Sequence, residues 1–385
     1  MAIKQHISML REFSIPLIGG VLVALGWANF DLASYEHFLH APFLGGMTFH
    51  FVTNDLFMVF FFAIAAGEIT QSCLPGGDLH PLKKALNPLF ATLGGVVGPV
   101  AVYLLLNRII GAPELQRGWG IPTATDIALA WLAARLIFGD RHPAISYLLL
   151  LAIADDGIGL AIIAIFYPDP AYPLAPHWIG LVVLGMGSAY GLRRWQVKSY
   201  WPYLLLGGGL VWTGLFRAHL HPALALVFIV PFFPHAGKET LHVFEEDLKD
   251  RSTLGEFEHH WKVIVDFGLF MFGLANAGVV FSSVGTPTIL VLASLLIGKT
   301  GGIFLLGMLG HKLGFPLPHG IRKRHLLVAG LIAGIGMTVA LFVAGVAFTD
   351  PVICGAAKMG ALLSSIAAVL AFILARSLGI RPKRH

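Results

Sequence analysis

The chain has 385 residues, 56% of them hydrophobic and 12% charged, with 45 Gly and 28 Phe. That composition excludes a water-soluble domain of this size and predicts an all-α polytopic membrane protein whose main partner is the lipid bilayer. The net charge of +5 gives no reason to invoke nucleic acid, since basic clusters such as "RKRH" at 322–325 also fix the orientation of membrane helices.

A bilayer core takes about 20 mostly apolar residues per helix. In chain order, such runs predict helices near 14–33, 55–73, 89–108, 119–138, 145–167, 177–192, 202–216, 221–234, 262–283, 287–310, 326–348 and 353–376, twelve in all. The first run follows Lys4 and Arg11 and leads into "WANFDLASYEH" without a small-residue cleavage site, so a retained helix is expected rather than a signal peptide. Twelve crossings put both termini on one side. Nearly all basic loop residues fall on that side, while Arg108, Arg117 and Arg217 fall on the other, which makes the termini cytoplasmic. Cys73 and Cys354 then lie at opposite faces, which excludes a disulfide, and their spacing is not that of metal ligands. The charged stretch 235–262 reads as a solvated, partly helical connector whose acids and histidines suit pH sensing.

Two of these segments are interrupted by residues of poor helix propensity. In "GWGIPTATDIALAW" (118–131) they are Pro122, Thr123, Thr125 and Asp126; in "GLIAGIGMTVALF" (330–342) they are Gly330, Gly334, Gly336 and Thr338. Each is the middle member of a trio, helices three to five and ten to twelve. Three helices per unit is odd, so the two units enter the membrane from opposite sides as an inverted repeat. Paired interruptions in such repeats point to a transport site. Glycine packing faces and a proline kink are the plainer explanation of either segment alone.

"LAIADDGIGLAI" (151–162) sets Asp155 and Asp156 about ten residues, or roughly 15 Å, from either end of their apolar run. Lys299, in "ASLLIGKTGGIFLL" (293–306), is similarly central. A charge at mid-bilayer costs about 2.5–3.5 kcal/mol, so Asp126, Asp155, Asp156 and Lys299 would cost on the order of 10 kcal/mol without partners or water. Consecutive helical residues point about 100° apart, so one aspartate is expected to take a protein partner while the other faces a wet funnel. Lys299 with a central aspartate is either a structural pair joining helices five and ten or a titrating pair exposed during transport. At the fourth-helix break, Asp126 would neutralise an amino helix end and an ammonium such as Lys299 a carboxyl end. Thr125 adds an oxygen suited to a hard cation. A carboxylate in a poorly solvated pocket can hold a proton or, having lost it, an alkali cation; competition between the two, with access alternating between membrane faces, is antiport.

These segments resemble the NhaA family of bacterial sodium/proton antiporters. The likeness rests on "GWGIPTATDIALA", "AIADDGIG", "LIGKTGGI" and "GIGMTVALFVAGVAF", joined in order by "TNDLFMVFFFAIAAGE" (53–68), "HPALA" (221–225) and "LANAG" (274–278). It spans nearly the whole chain and implies one transporter domain over 1–385, with helices three to five and ten to twelve as a core bundle moving against a dimerisation part. By that resemblance Asp156 is the main carrier of Na+ or Li+ and of protons, and Asp155 exchanges between Lys299 and the ion. Asp126 and Lys299 compensate helix ends, while Asp55 and Glu68 line the approach on helix two. "TND" before an apolar run also reads as a helix cap at Asp55. The resemblance further implies exchange of more than one proton per sodium, pH regulation, an inner-membrane location and no cofactor, the ions being cargo. It implies a homodimer formed through a hairpin in "FLGGMTFHF" (43–51).

The chain departs from the family in places. "ITQSC" follows Glu68 where the family continues with basic residues, so pH sensing is not carried over to that patch; nor is a regulatory role for Glu256 or Glu258, where the match needs a gap. Asp266 adds an acid to helix nine where the family is apolar, and it receives no role. Two rival readings are a sodium-coupled symporter of a small organic anion and an intramembrane aspartyl protease using Asp126 with Asp155. The protease reading leaves Lys299 and the paired breaks unexplained.

Overall fold

The computed structural model of the chain describes residues 15–74, 82–139, 142–168, 173–234 and 252–380. Lys4, Arg11 and most of the charged connector, residues 235–251, lie outside them.

Helix α1 (Ile15–Phe30) and the short α2 (Leu32–His40) lead into a hairpin of β1 (Pro42–Leu44) and β2 (Met47–Thr48). The turn is Gly45–Gly46, both at positive φ (+60° and +85°), which a two-residue hairpin loop requires. Next comes α3 (Phe49–Cys73), which starts six residues before the expected 55 because the Thr48 hydroxyl caps it, accepting from Phe51 N at 3.1 Å. Asp55 therefore does not cap a helix; it sits inside α3, in a π-helical turn over Val52–Phe57.

Helix α4 (Leu82–Ile110) is followed by a 3-10 segment (Pro113–Thr123), three extended residues, and α5 (Ile127–Phe138). The 3-10 segment and α5 are bent by 56°. Helix α6 (Pro143–Phe166) carries the paired aspartates. The chain continues through α7 (Ile179–Arg194) and α8 (Gly209–Arg217). Where an α-helix is expected over 221–234, it forms 3-10 turns, Pro222–Phe228 and Val230–Phe232, and Pro231 has no N–H to carry a helix across the junction between them.

Helix α9 (Thr253–Asn276) begins nine residues before the expected 262, capped by Ser252, whose Oγ accepts from Gly255 N at 3.1 Å. The second half of the chain then gives α10 (Thr286–Lys312), α11 (Lys323–Ala333), α12 (Met337–Ala347) and α13 (Pro351–Ser377). The α11–α12 pair is bent by 47°. Five helices, α3, α4, α6, α10 and α13, are each long and apolar enough to cross a membrane. Large apolar side chains such as Leu105, Ile165, Leu205, Ile297 and Leu305 are exposed on the outer helix faces, as in a chain solvated by lipid.

Helices α4 and α10 meet along a seam of glycines. Gly94 and Gly98 face Gly298 and Gly302, each pair spaced by four, and a Cβ added at Gly302 would lie 2.0 Å from the Gly94 carbonyl oxygen. Small residues at this spacing let backbones approach closely where no hydrophobic effect drives association. The seam sets Lys299 at the centre of the molecule. It also gives a direct test of close packing. Gly302→Ala should lower the thermal unfolding midpoint of purified protein in detergent, by the ~1–3 kcal/mol typical of overpacking. Gly301→Ala, whose Cβ would meet nothing within 4 Å, should leave it unchanged; equal midpoints would contradict the seam.

Candidate functional site: crossed helix breaks and two acids

The two bent segments cross at their breaks. Backbone Asp126 N donates to Ile335 O at 2.7 Å, and the Thr125 hydroxyl reaches Ala333 O at 3.0 Å. Side chains would not fit here: a Cβ at Gly336 would lie 3.2 Å from Ala124 O across the crossing, and one at Gly334 would lie 2.7 Å from Leu295 O of α10. Gly336 N donates to Ser364 Oγ at 3.1 Å, which ties the crossing to α13 at the turn, residues 364–365, that divides it into Pro351–Leu363 and Ile366–Ser377. Pro122, buried at φ −85° and ψ 15°, ends the regular 3-10 geometry.

Four helix ends converge here: the amino ends of α5 and α12, and the carboxyl ends of the 3-10 segment and α11. Each carries about half a unit of charge, positive at amino ends and negative at carboxyl ends. The Asp126 carboxylate serves both amino ends, accepting from Leu129 N at 3.1 Å and from Thr338 N at 3.3 Å. The Lys299 ammonium donates to Thr123 O, the last carbonyl of the 3-10 segment, at 2.7 Å.

The same ammonium lies 2.6 Å from Asp155 Oδ2, and both side chains are fully buried. Thr125 Oγ1 lies 2.8 Å from that oxygen as well, so its one proton is shared between Asp155 and Ala333 O. Asp156, one residue on, is turned elsewhere. It lines a cavity of about 590 Å3 together with Phe61, Glu68, Thr125, Asp126, Lys262 and Thr338. Its Oδ1, like Asp155 Oδ1, is buried without a hydrogen-bond partner.

The structure thus brings Pro122, Thr125, Asp126, Asp155, Asp156, Lys299, Gly334, Gly336 and Thr338 together. It separates Asp55 from Glu68. Glu68 lines the 590 Å3 cavity, 3.0 Å from Lys262, whereas Asp55 lines a second cavity of about 710 Å3 with His50, Trp178 and Arg217. The two acids are thirteen positions apart along α3, about 20 Å at helical rise. Sequence reasoning passed over Ser364, an ordinary serine in an apolar run, and counted Lys262 only toward topology. Asp266, left without a role, lines the cavity that holds Asp156. The dyad required of an aspartyl protease is missing from the geometry: Asp155 bonds Lys299 and Thr125, while Asp126 bonds backbone amides.

Residues 5–375 match the family model for Na+/H+ antiporter 1. The chain belongs to this family. Members similar to it include the Na(+)/H(+) antiporter NhaA of Geobacter sulfurreducens, 68% identical over 98% of this chain and 99% of the relative. The Na(+)/H(+) antiporter NhaA 1 of Pelobacter propionicus has the same identity and coverage. A more distant member, from Jannaschia, is 44% identical over 96% of this chain and 97% of its own. Among solved structures, the sodium proton antiporter MjNhaP1 of Methanocaldococcus jannaschii shares the fold at a TM-score of 0.52 and 17% identity, covering 98% of this chain and 99% of that one.

The buried pair carries a stability prediction. Lys299→Met leaves a carboxylate stranded in the interior, a loss of about 3–5 kcal/mol for broken pairs of this kind. It should lower the thermal midpoint in detergent, and adding Asp155→Asn should restore most of the loss. A single variant as stable as the parent would show that the pair is not buried as described.

Proposed function

We propose that the chain is a secondary transporter that exchanges cytoplasmic Na+ or Li+ for external H+ across a bacterial inner membrane, without a cofactor. Family membership across nearly the whole chain supports the activity. The observation that carries the residue roles is the inequality of two neighbouring acids. One oxygen of Asp155 is held by Lys299 and Thr125, whereas Asp156 lines a cavity that Asp155 does not reach.

In this reading Asp156 is the carrier. Its carboxylate binds a proton or an alkali cation but not both, so the arrival of one expels the other. Asp155 leaves Lys299 for the ion when the cation is bound, and the freed ammonium can then release a proton of its own. Two protons against one Na+ make the exchange electrogenic, moving one net positive charge inward per cycle. Asp126 and Lys299 meanwhile keep the helix ends compensated. Thr125 and Thr338 lie within reach as neutral oxygens. Glu68 lines the cytoplasmic approach and Asp55 the external one, in keeping with their separate cavities.

The membrane arrangement we propose has twelve crossings with both termini cytoplasmic. They are α1, α3, α4, the broken 113–138, α6, α7, the helix 203–217 that ends in α8, the 3-10 stretch 222–232, α9, α10, the broken 323–347 and α13. The bends of 56° and 47° support two discontinuous crossings. Crossings three to five and ten to twelve form the core that moves against the rest, and the hairpin Pro42–Thr48 joins two copies as a dimer. Regulation by pH is assigned to the connector 235–262.

Purified protein in proteoliposomes bearing a pH gradient tests the reading. Adding Na+ should collapse the gradient for the parent chain. Asp156→Asn should insert normally yet show no more collapse than empty liposomes; turnover near that of the parent would refute the carrier assignment.

A further inference from the structure

The wall of the 590 Å3 cavity is unevenly charged. Four carboxylates line it, Asp126 and Asp156 at the crossing and Glu68 and Asp266 farther out, and Lys262 is the only base among its described lining residues. A narrow cavity lined by one sign of charge concentrates the opposite ion. Asp126 is occupied by backbone amides, which leaves Asp156 as the destination and Glu68 with Asp266 as the outer attraction.

Lys262 stands among those outer acids. Its ammonium lies 3.0 Å from Glu68 Oε1, and the side chains remain 48% and 32% exposed, so water and ions reach the pair. It is four residues before Asp266 on α9, the spacing that puts two side chains on one helix face. Glu68, Asp266 and Glu258 are the acids whose fields act on it. Glu258 is engaged beside the pair, accepting from Gln71 Nε2 at 2.8 Å. The Phe60 and Trp261 rings stack at 3.8 Å and 11°, which fixes α3 against α9 at the same level. Glu68, a partly exposed acid of the cavity wall, therefore already holds a cation, one tethered to the protein.

We propose that Lys262 is a built-in competitor for cytoplasmic Na+. An arriving ion meets Glu68 already paired and must displace the ammonium toward Asp266 before passing inward to Asp156. Lys262 and Asp266 thus set the apparent affinity for cytoplasmic cation without touching the transported ion at its carrier. This rests on the antiport reading and adds the residues that tune access on one face.

The two faces of the membrane separate this role from a structural one. In everted vesicles, which expose the cytoplasmic face, Lys262→Gln should lower the KM for Na+ by about two- to fivefold, the range for removing one partly exposed ion-pair charge. Lys262→Arg should keep the parent value, and Asp266→Asn should raise it. Choline chloride, added as a screening salt that is not transported, should shrink the difference between parent and Lys262→Gln. In right-side-out vesicles the KM for external Na+ should stay at the parent value in all three variants. An unchanged KM in everted vesicles, an equal shift on both faces, or an effect confined to kcat would overturn the proposal. Should the parent itself show no Na+-dependent proton movement, the antiport reading fails first, so the two failures are distinguishable.

Discussion

A helix that breaks inside packed protein leaves amides and carbonyls with no water to bond them, and this chain crosses two buried breaks at one point. Satisfying the four helix ends there is the constraint on which the interior depends. Asp126 accepts from both amino ends, Lys299 donates to the last carbonyl of the 3-10 segment, the single Thr125 hydroxyl proton is shared between Ala333 O and Asp155, and two backbone amides are met in turn, Asp126 N by Ile335 O and Gly336 N by Ser364 Oγ. The charges are thus part of the backbone's hydrogen bonding as well as candidates for chemistry, and removing one exposes a helix end along with an ion partner.

The constraint also divides the labour between neighbouring acids. Lys299 reaches the crossing because the glycine seam lets α10 lie close against α4. Once there it engages Asp155, with Thr125 on the same carboxylate oxygen. Asp156, rotated by about 100° around α6, is left to the cavity. A buried ion pair is weak as a source of stability, because desolvation offsets much of the attraction. In the proposed function its use lies in being exchangeable: Asp155 has one place to go when a cation is bound and another when it is not.

Much of this was legible in the residues. Pro122, Gly334 and Gly336 mark the breaks because each either lacks a donor or tolerates an approach that a Cβ would block, and mid-run charges are conspicuous in an apolar chain. That Asp155 is the aspartate that meets Lys299 came from the resemblance alone, since it depends on the rotation of α6 against α10 and no local pattern encodes that. Nor was the start of α3: "TND" has the composition of a cap, but the Gly45–Gly46 turn and Thr48 begin the helix earlier and place Asp55 within it. The partition of Asp55 and Glu68 between two cavities, and the place of Asp266 beside Lys262 on one of them, follow from tertiary packing of α3 against α9. In the sequence Asp266 is only an acid out of pattern.

The central claim is that one carboxylate binds either a proton or a sodium ion. The most direct measurement is proton release when NaCl is added to purified protein in weakly buffered detergent, followed with a pH dye against choline chloride as control. The account predicts that the parent chain releases protons on Na+ addition and that Asp156→Asn, folded to the same thermal midpoint, releases none. Sodium binding by the parent without proton release, or undiminished release from Asp156→Asn, would contradict it.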